Sequence, residues 1–288
     1  MLLGRVLLLT AAHSGRRRMA AQAQSCDAFE WHWLRETKST QDAAKEILKQ
    51  RVVGNNNGHD GKHVAVATAH QTAGRGTRGR TWKDDGRGNV ALTVALDMRH
   101  LPLKPVTLVP LRVGVEVARV LADHLEDAPG CAVSLKWPND VLLNGKKVCG
   151  VLIEADGDAL LVGVGINVAT HPDVPQAGPE RGREATSLAA GGATSADAEA
   201  IAKDLATHLS TWADGVDDAP TLVAHWSHFV DWSLPLTLRD TSEVVAPVRL
   251  LPDGRLRVRP AAGGPERDLV AEYLLLSLIH ISEPTRQE

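Results

Sequence analysis

Between Cys131 and Val168 the chain runs CAVSLKWPNDVLLNGKKVCGVLIEADGDALLVGVGINV. Short apolar segments are punctuated there by Asn144-Gly145 and by Asp156-Gly157-Asp158, residue types that tight hairpin turns favour. Strands joined by such short turns are antiparallel neighbours, because parallel strands need a long crossover, usually a helix. The segment therefore predicts a meander and argues against a doubly wound dinucleotide-binding sheet, in which strand and helix alternate.

The flanking sequence supplies the helices. STQDAAKEILKQ has helical spacing, with Ala43, Ile47 and Leu48 sharing a face and Ser39 or Thr40 as the N-cap. GNNNGHDG then reads as a surface loop. His63 to Ala69 and Asn89 to Leu96 read as buried strands on either side of QTAGRGTRGRTWKDDGRG. A long helix is predicted over Thr107 to Leu125, where Leu111, Val115, Val117, Ala118 and Leu121 recur. Thr170 to Ser195, rich in Gly, Ala and Pro, reads as a loop, and a helix follows over Ala196 to Ala213. From Trp232 onward LPLTLRD, VAPVRLL, a PDG turn and RLRVRP predict a small all-β unit. No internal repeat is visible.

A length of 288 residues exceeds the usual ~100 to 200 per domain, which favours one large domain with a small appendage. Hydrophobic residues at 43% and charged residues at 23% are ordinary for a globular protein. The formal net charge of −3 gives no sign of a nucleic-acid or membrane surface. Cys26, Cys131 and Cys149 lack CxxC spacing, so neither a disulfide framework nor a zinc site is suggested, and a reducing compartment fits. Trp supplies 7 of the aromatic residues against 2 Phe and 1 Tyr, a bias that suits stacking on flat ligands as well as core packing.

The two ends stand apart. Residues 1–26 contain no acid and carry Arg5, Arg16, Arg17 and Arg18 with the apolar run VLLLTAA, too short to span a bilayer. This is the composition of a mitochondrial or plastid transit peptide; a poor secretory signal and a disordered extension are alternatives. Met19 offers an internal start that would leave a cytoplasmic form. LSLIHISEPTR, Leu276 to Arg286, resembles a translated sequencing-library adapter, so residues 276–288 are set aside as a non-native tail. The expected divisions are 1–26 for the extension, 27–230 for a catalytic domain, 231–275 for the β unit and 276–288 for the tail.

Four segments carry chemistry. In GRGTRGRTW, Gly74 to Trp82, glycines let backbone approach an anion and arginines supply charge, which suits phosphate handling but also RNA contact or a solvated loop. The segment fits neither GxxxxGK[ST] nor GxGxxG in a strand–turn–helix setting. In KWPNDV, Lys136 is a cation beside the rigid Trp137-Pro138, or a surface lysine beside a packed Trp. In GKKVCGVLIE and GVGINV, Gly150, Gly163 and Gly165 leave room over a strand for a flat ring, or simply ease packing.

Taken in order, Ser39-Thr40-Gln41, Gln71 to Gly76, Arg80-Thr81-Trp82, Lys136 to Asp140, Gly150 to Glu154 and Gly163 to Asn167 resemble the biotin-protein ligases, strongly over residues 39–168 and weakly over the C-terminal unit. The resemblance implies an α+β fold: a mixed β-sheet flanked by helices, of the class II aminoacyl-tRNA synthetase/biotin synthetase type, with a small SH3-like C-terminal domain. It implies that biotin is activated by ATP and Mg2+ to biotinyl-5′-AMP and then transferred to a lysine of a biotin carboxyl-carrier domain of a carboxylase. Ser39, Thr40, Gln71, Gly74, Arg75, Lys136, Gly150 and Leu152 would bind biotin. Arg75, Arg78, Arg80, Trp82, Lys136 and Asn167 would bind ATP, with Lys136, Arg75 and Arg80 catalytic and no resident metal. Cys149 would pack rather than attack.

Many ligases read GRGR through this loop; here Thr77 stands in the fourth position and Arg78 follows. That departure implies looser retention of the adenylate unless Arg78 or Arg80 substitutes. Only 38 residues precede Ser39, too few for the winged helix of family members that repress transcription; with the small net charge, no nucleic-acid or membrane partner is expected. A cytoplasmic monomer or homodimer is expected. Lipoate-protein ligase and a non-enzymatic biotin-binding remnant are the alternatives.

Overall fold

The computed structural model describes residues 28–54, 62–84, 88–103, 108–128, 130–175, 182–193, 195–238 and 241–271. The N-terminal extension, most of the GNNNGHDG loop and the adapter-like tail lie outside the described residues.

The elements in chain order are β1 (Phe29–Leu34), α1 (Thr40–Gly54), β2 (His63–Thr68), β3 (Val90–Asp97), α2 (Val109–His124), β4 (Val133–Lys136), β5 (Asp140–Leu143), β6 (Lys146–Asp156), β7 (Ala159–Ile166), α3 (Ala198–Ala213), α4 (Ala219–Phe229), β8 (Leu236–Thr237), β9 (Val244–Leu250), β10 (Leu256–Pro260) and β11 (Arg267–Leu269). The first seven strands form one sheet in the order β1-β2-β3-β7-β6-β5-β4. β1 and β2 are parallel and every other pair is antiparallel, so the sheet is mixed. The expected meander is β4 to β7. Its β5–β6 turn places Asn144 at φ 50° and Gly145 at φ 78°, positive values that Asn and Gly tolerate with least strain.

Alternation along the strands gives the sheet two different faces. On one, Val64, Val66, Ala95 and Leu161 pack against Ala44, Ile47 and Leu48 of α1. On the other, Ala65, Ala67, Leu92, Val94, Val162 and Val164 join the large core with α2 and α3. α2 carries one polar stripe, Arg112, Glu116, Arg119 and Asp123, and is otherwise apolar and buried along most of its length. α1 packs over β2, β3 and part of β7. The face of β5, β6 and β7 that looks the same way carries the cleft described below.

Helices α3 and α4 start on Asp197 and Asp218, whose carboxylates accept backbone N–H bonds in the first turn. α4, β1 and β11 have no counterpart among the elements expected from the sequence. α4 buries only Leu222 and Trp226, too little for a clear period, and β11 is three residues long. β1, FEWHWL, does alternate Phe29, Trp31 and Trp33, but it adjoins the segment set aside as an extension.

β8 to β11 form a second antiparallel sheet in the order β11-β10-β9-β8. Leu236, Val245, Leu250, Leu256 and Val258 from it belong to the same buried cluster as α2 and the large sheet. Gly254, at φ +85° in the β9–β10 turn, lies against Leu108 and Leu111 at the start of α2, and Trp137 Nε1 donates to its carbonyl at 3.0 Å. Leu111→Ala should therefore lower the unfolding free energy by about 2–5 kcal/mol, and urea titration followed by circular dichroism should show both sheets melting in one transition.

Candidate active site

The Gly/Arg segment folds as a closed loop. Gly76 N donates to Arg80 O at 2.7 Å, Trp82 N donates to Gly74 O at 2.9 Å, and Arg75 bridges Thr81. A 3-10 turn, Thr77–Gly79, makes the tip, with Gly79 at φ +69°. Arg80 folds back on this turn, its Nε reaching Thr77 O at 3.3 Å and its Nη2 reaching Thr77 Oγ1 at 3.2 Å. Thr77 thus anchors Arg80, one of the two arginines, with Arg78, expected to substitute for the missing guanidinium. The Arg78 side chain lies outside the described residues.

The returning end of the loop lays Trp82 on the sheet. Gly150 of β6 faces Gly165 of β7, and the indole sits over the pair. A Cβ at Gly165 would come within 2.5 Å of the ring, and one at Gly150 within 3.0 Å. The space left by these two glycines is thus filled by the protein's own flat bicycle. The next glycine, Gly163, leaves space for the amide of Gln41, which would lie 2.3 Å from a Cβ there. Gly74 is buried beneath the Trp82 backbone and Gln71 and shapes the loop without lining the cleft.

Around this floor opens a cleft of about 1120 Å³. At the start of α1, Ser39, Thr40 and Gln41 are buried. Thr93 Oγ1 donates to Thr40 Oγ1 at 2.9 Å, and Thr40 donates to Gln71 Oε1 through its backbone N at 2.8 Å and its hydroxyl at 3.1 Å. Gln41 Nε2 donates to Leu152 O at 2.9 Å, which leaves its buried Oε1 without a partner. This is a nest of neutral polar groups with a spare acceptor. Thr93 and Gln41 were not among the expected site residues, although Thr93 is the polar interruption in an otherwise apolar strand and Gln41 completes the STQ triplet.

Charge is arranged in two groups. Lys136 Nζ lies 3.2 Å from Asp140 Oδ2, and Lys147 Nζ lies 2.6 Å from Asp140 Oδ1 and 5.6 Å from the centre of the Trp82 ring. Burial alone would raise the Asp140 carboxyl, but Lys147 and then Lys136 outweigh it and hold the group well below the usual carboxylate range. Lys147 and Asp140 had not been assigned roles. Arg75 makes a bidentate pair with Asp42 at 2.6 and 2.8 Å and reaches Glu154 at 3.2 Å, while Lys45 meets Glu154 at 2.7 Å. The hydrogen bonds it donates to Asp42 lead in holding its guanidinium protonated. Asn167 is buried at the cleft edge, with Nδ2 donating to Thr186 O at 3.0 Å. Of the expected residues, Ser39, Thr40, Gln71, Arg75, Arg80, Trp82, Lys136, Gly150, Leu152 and Asn167 all line the one cleft.

Residues 33–170, which hold nearly all of these groups, match the model of the biotin/lipoate A/B protein ligase family. A solved structure of biotin protein ligase from Leishmania major in complex with biotin is 33% identical, with a TM-score of 0.61 over 84% of this chain and 98% of that one. The chain belongs to the biotin protein ligase family. The ligase of Aquifex aeolicus in complex with biotin and ATP is 25% identical, with a TM-score of 0.59 over 84% of this chain and 96% of that one. Among curated relatives, the biotin–[acetyl-CoA-carboxylase] ligase of Mycobacterium tuberculosis is 35% identical over 152 residues, 53% of this chain and 54% of the relative. The matched stretch thus spans about half the length of that curated relative.

In this ligase-family site Cys149 is fully buried, and burial pushes its thiol up, away from thiolate. It is a packing residue. Asp140 is held in its charged form by Lys147 and Lys136. Its folded pKa lies below the unfolded one, so the stability it carries is complete above its ordinary value of 3.8 and is lost as pH falls below that. Urea midpoints of the wild type and Asp140→Asn should therefore differ most near neutrality and converge below pH 3.8.

Proposed function

We propose that the chain is an ATP-dependent biotin protein ligase. The biotin carboxylate attacks the α-phosphorus of ATP and expels pyrophosphate, and the ε-amine of a carrier lysine then attacks the acyl carbon of biotinyl-5′-AMP and expels AMP. The observation that carries this reading is that Lys136 lines the same cleft as Thr40 and Gln71 of the Thr93–Thr40–Gln71 nest. Hydroxyls, amides and the spare Gln41 acceptor suit the neutral ureido group of biotin. A lysine suits the carboxylate and α-phosphate at the other end of the same molecule. The relatives from Leishmania major and Aquifex aeolicus, described in complex with biotin and with biotin and ATP, support the same assignment.

Ser39, Thr40, Gln71, Gly150 and Leu152 are assigned to biotin, with Gly74 holding the loop above it. Arg75, Arg80, Trp82, Lys136 and Asn167 are assigned to ATP and the adenylate, together with Arg78. Lys136 is the principal catalytic cation, assisted by Arg75 and Arg80. Arg75 would exchange Asp42 or Glu154 for a ligand anion. Mg2+ would arrive with the ATP phosphates as part of the substrate. The partner is a biotin carboxyl-carrier domain of a carboxylase. The catalytic unit is assigned to residues 27–230 and an SH3-like unit to 231–275, in a cytoplasmic protein. Among the described residues no helix is long and apolar enough to cross a membrane.

Transfer of labelled biotin to a carrier domain tests the reading, with lipoate as the competing substrate. Lys136→Ala should lower the rate on the order of 10²-fold or more. Wild-type protein that transfers lipoate and not biotin would overturn the assignment. Thr77 leads to a separate expectation, since it is buried against Arg80 and offers no guanidinium. Thr77→Arg should slow release of biotinyl-5′-AMP into solution, measured by rapid filtration, and an unchanged release rate would show that position 77 does not govern retention.

A further inference from the structure

Strict alternation along β6 sends Leu152 and Gly150 to the cleft and Val151 and Cys149 to the core. Continued unchanged, it would put Val148 in the cleft and drive Lys147 into the core. The reverse is found. The β5–β6 ladder shifts register between Val141 and Leu142, pairing Val141 with Cys149 and Leu142 with Lys147, so that Val148 is the extra residue of a β-bulge. Val148 and Cys149 are both fully buried in the core, and Lys147 emerges on the cleft side. The bulge aims a second lysine at the site.

What it meets there is one largely buried carboxylate. Asp140 stands directly across the β4–β5 hairpin from Lys136, its side chain 11% exposed, with one oxygen toward Lys136 and the other toward Lys147. With Lys136 alone the pair would be neutral, and drawing Lys136 toward an incoming anion would strand a buried negative charge, which is strongly unfavourable. With Lys147 present the cluster keeps one net positive charge, and Asp140 retains a partner when Lys136 leaves it.

We propose that Lys147 is a positioning residue for biotin activation: it holds Asp140 so that Lys136 is released to the anion formed where the biotin carboxylate meets the α-phosphate. The inference rests on the biotin-activating role of Lys136 proposed above. Lys147 acts through Asp140 and Lys136, and this separates it from a lysine that merely covers the Trp82 ring.

The test is biotin-dependent exchange of labelled pyrophosphate into ATP, measured on the full chain at saturating biotin and ATP. Lys147→Met should lower kcat on the order of 30-fold, and Lys147→Arg should stay within about 3-fold of wild type. The double variant Lys147→Met/Asp140→Asn, which leaves no stranded charge, should recover at least about 5-fold over Lys147→Met. In a chain carrying Lys136→Ala, adding Lys147→Met should change the residual rate by less than about 3-fold. Exchange by Lys147→Met at the wild-type rate, a double variant no faster than the single one, or full additivity with Lys136→Ala would each overturn the proposal. Should Lys147→Met fail to fold, the double variant carries the test, since a rate as low as that of Lys136→Ala alone would also overturn it. Wild-type protein without biotin-dependent exchange would refute the biotin reading itself, a different failure.

Discussion

The pairing of β6 with β7 is the constraint on which the site depends. Each strand has to serve two surfaces at once. Val151, Val162, Val164 and Ile166 are committed to the core that holds α2, and this fixes the register residue by residue. The opposite face is then free to be stripped down, and it is: Gly150 against Gly165, with Gly163 next to them. A floor with no side chains is stable here only because the other face contributes the packing. The missing Cβ atoms let Trp82 and Gln41 lie close on the sheet, and the cleft opens around them.

Onto that floor the rest of the site is delivered by elements far apart in the chain. The start of α1 brings Thr40 and Gln41, β3 brings Thr93, the Gly/Arg loop brings Trp82, and the β4–β5 hairpin brings Lys136 and Asp140. Each polar group arrives with most of its hydrogen-bonding capacity already used by neighbours, as burial demands. Among the described residues of the site the exceptions are Gln41 Oε1 and Asp140 Oδ1, and the second is met by the charge of Lys147 at 2.6 Å. Charges obey the same rule: the buried carboxylate Asp140 is matched by two lysines, and Arg75 is matched by two acids.

Much of this was legible in the sequence, for reasons particular to it. The NG and DGD turns fixed the meander, and glycines placed two apart in GVGINV put Gly163 and Gly165 on one face of a strand. The helix expected over Thr107 to Leu125 is found as Val109–His124, because its apolar residues recur without interruption. What was hidden depends on distances that the chain does not display. Arg75 finds Asp42 at a separation of 33 residues and Glu154 at 79, and no local pattern announces either. The orientation of Lys147 rests on one bulged residue, Val148, which periodicity alone would assign to the wrong face. The glycine gap was visible, but not that an indole from another loop fills it.

That indole changes what binding means at this site. A rigid cleft receives a ligand by losing water. Here a flat ring seeking the Gly150–Gly165 floor would have to trade places with Trp82, and Lys147 would lose the aromatic face beneath it. Occupancy of that floor would then exchange one ring for the other. Any measured affinity at the floor is the difference between them, lowered by whatever the resident ring gains by staying.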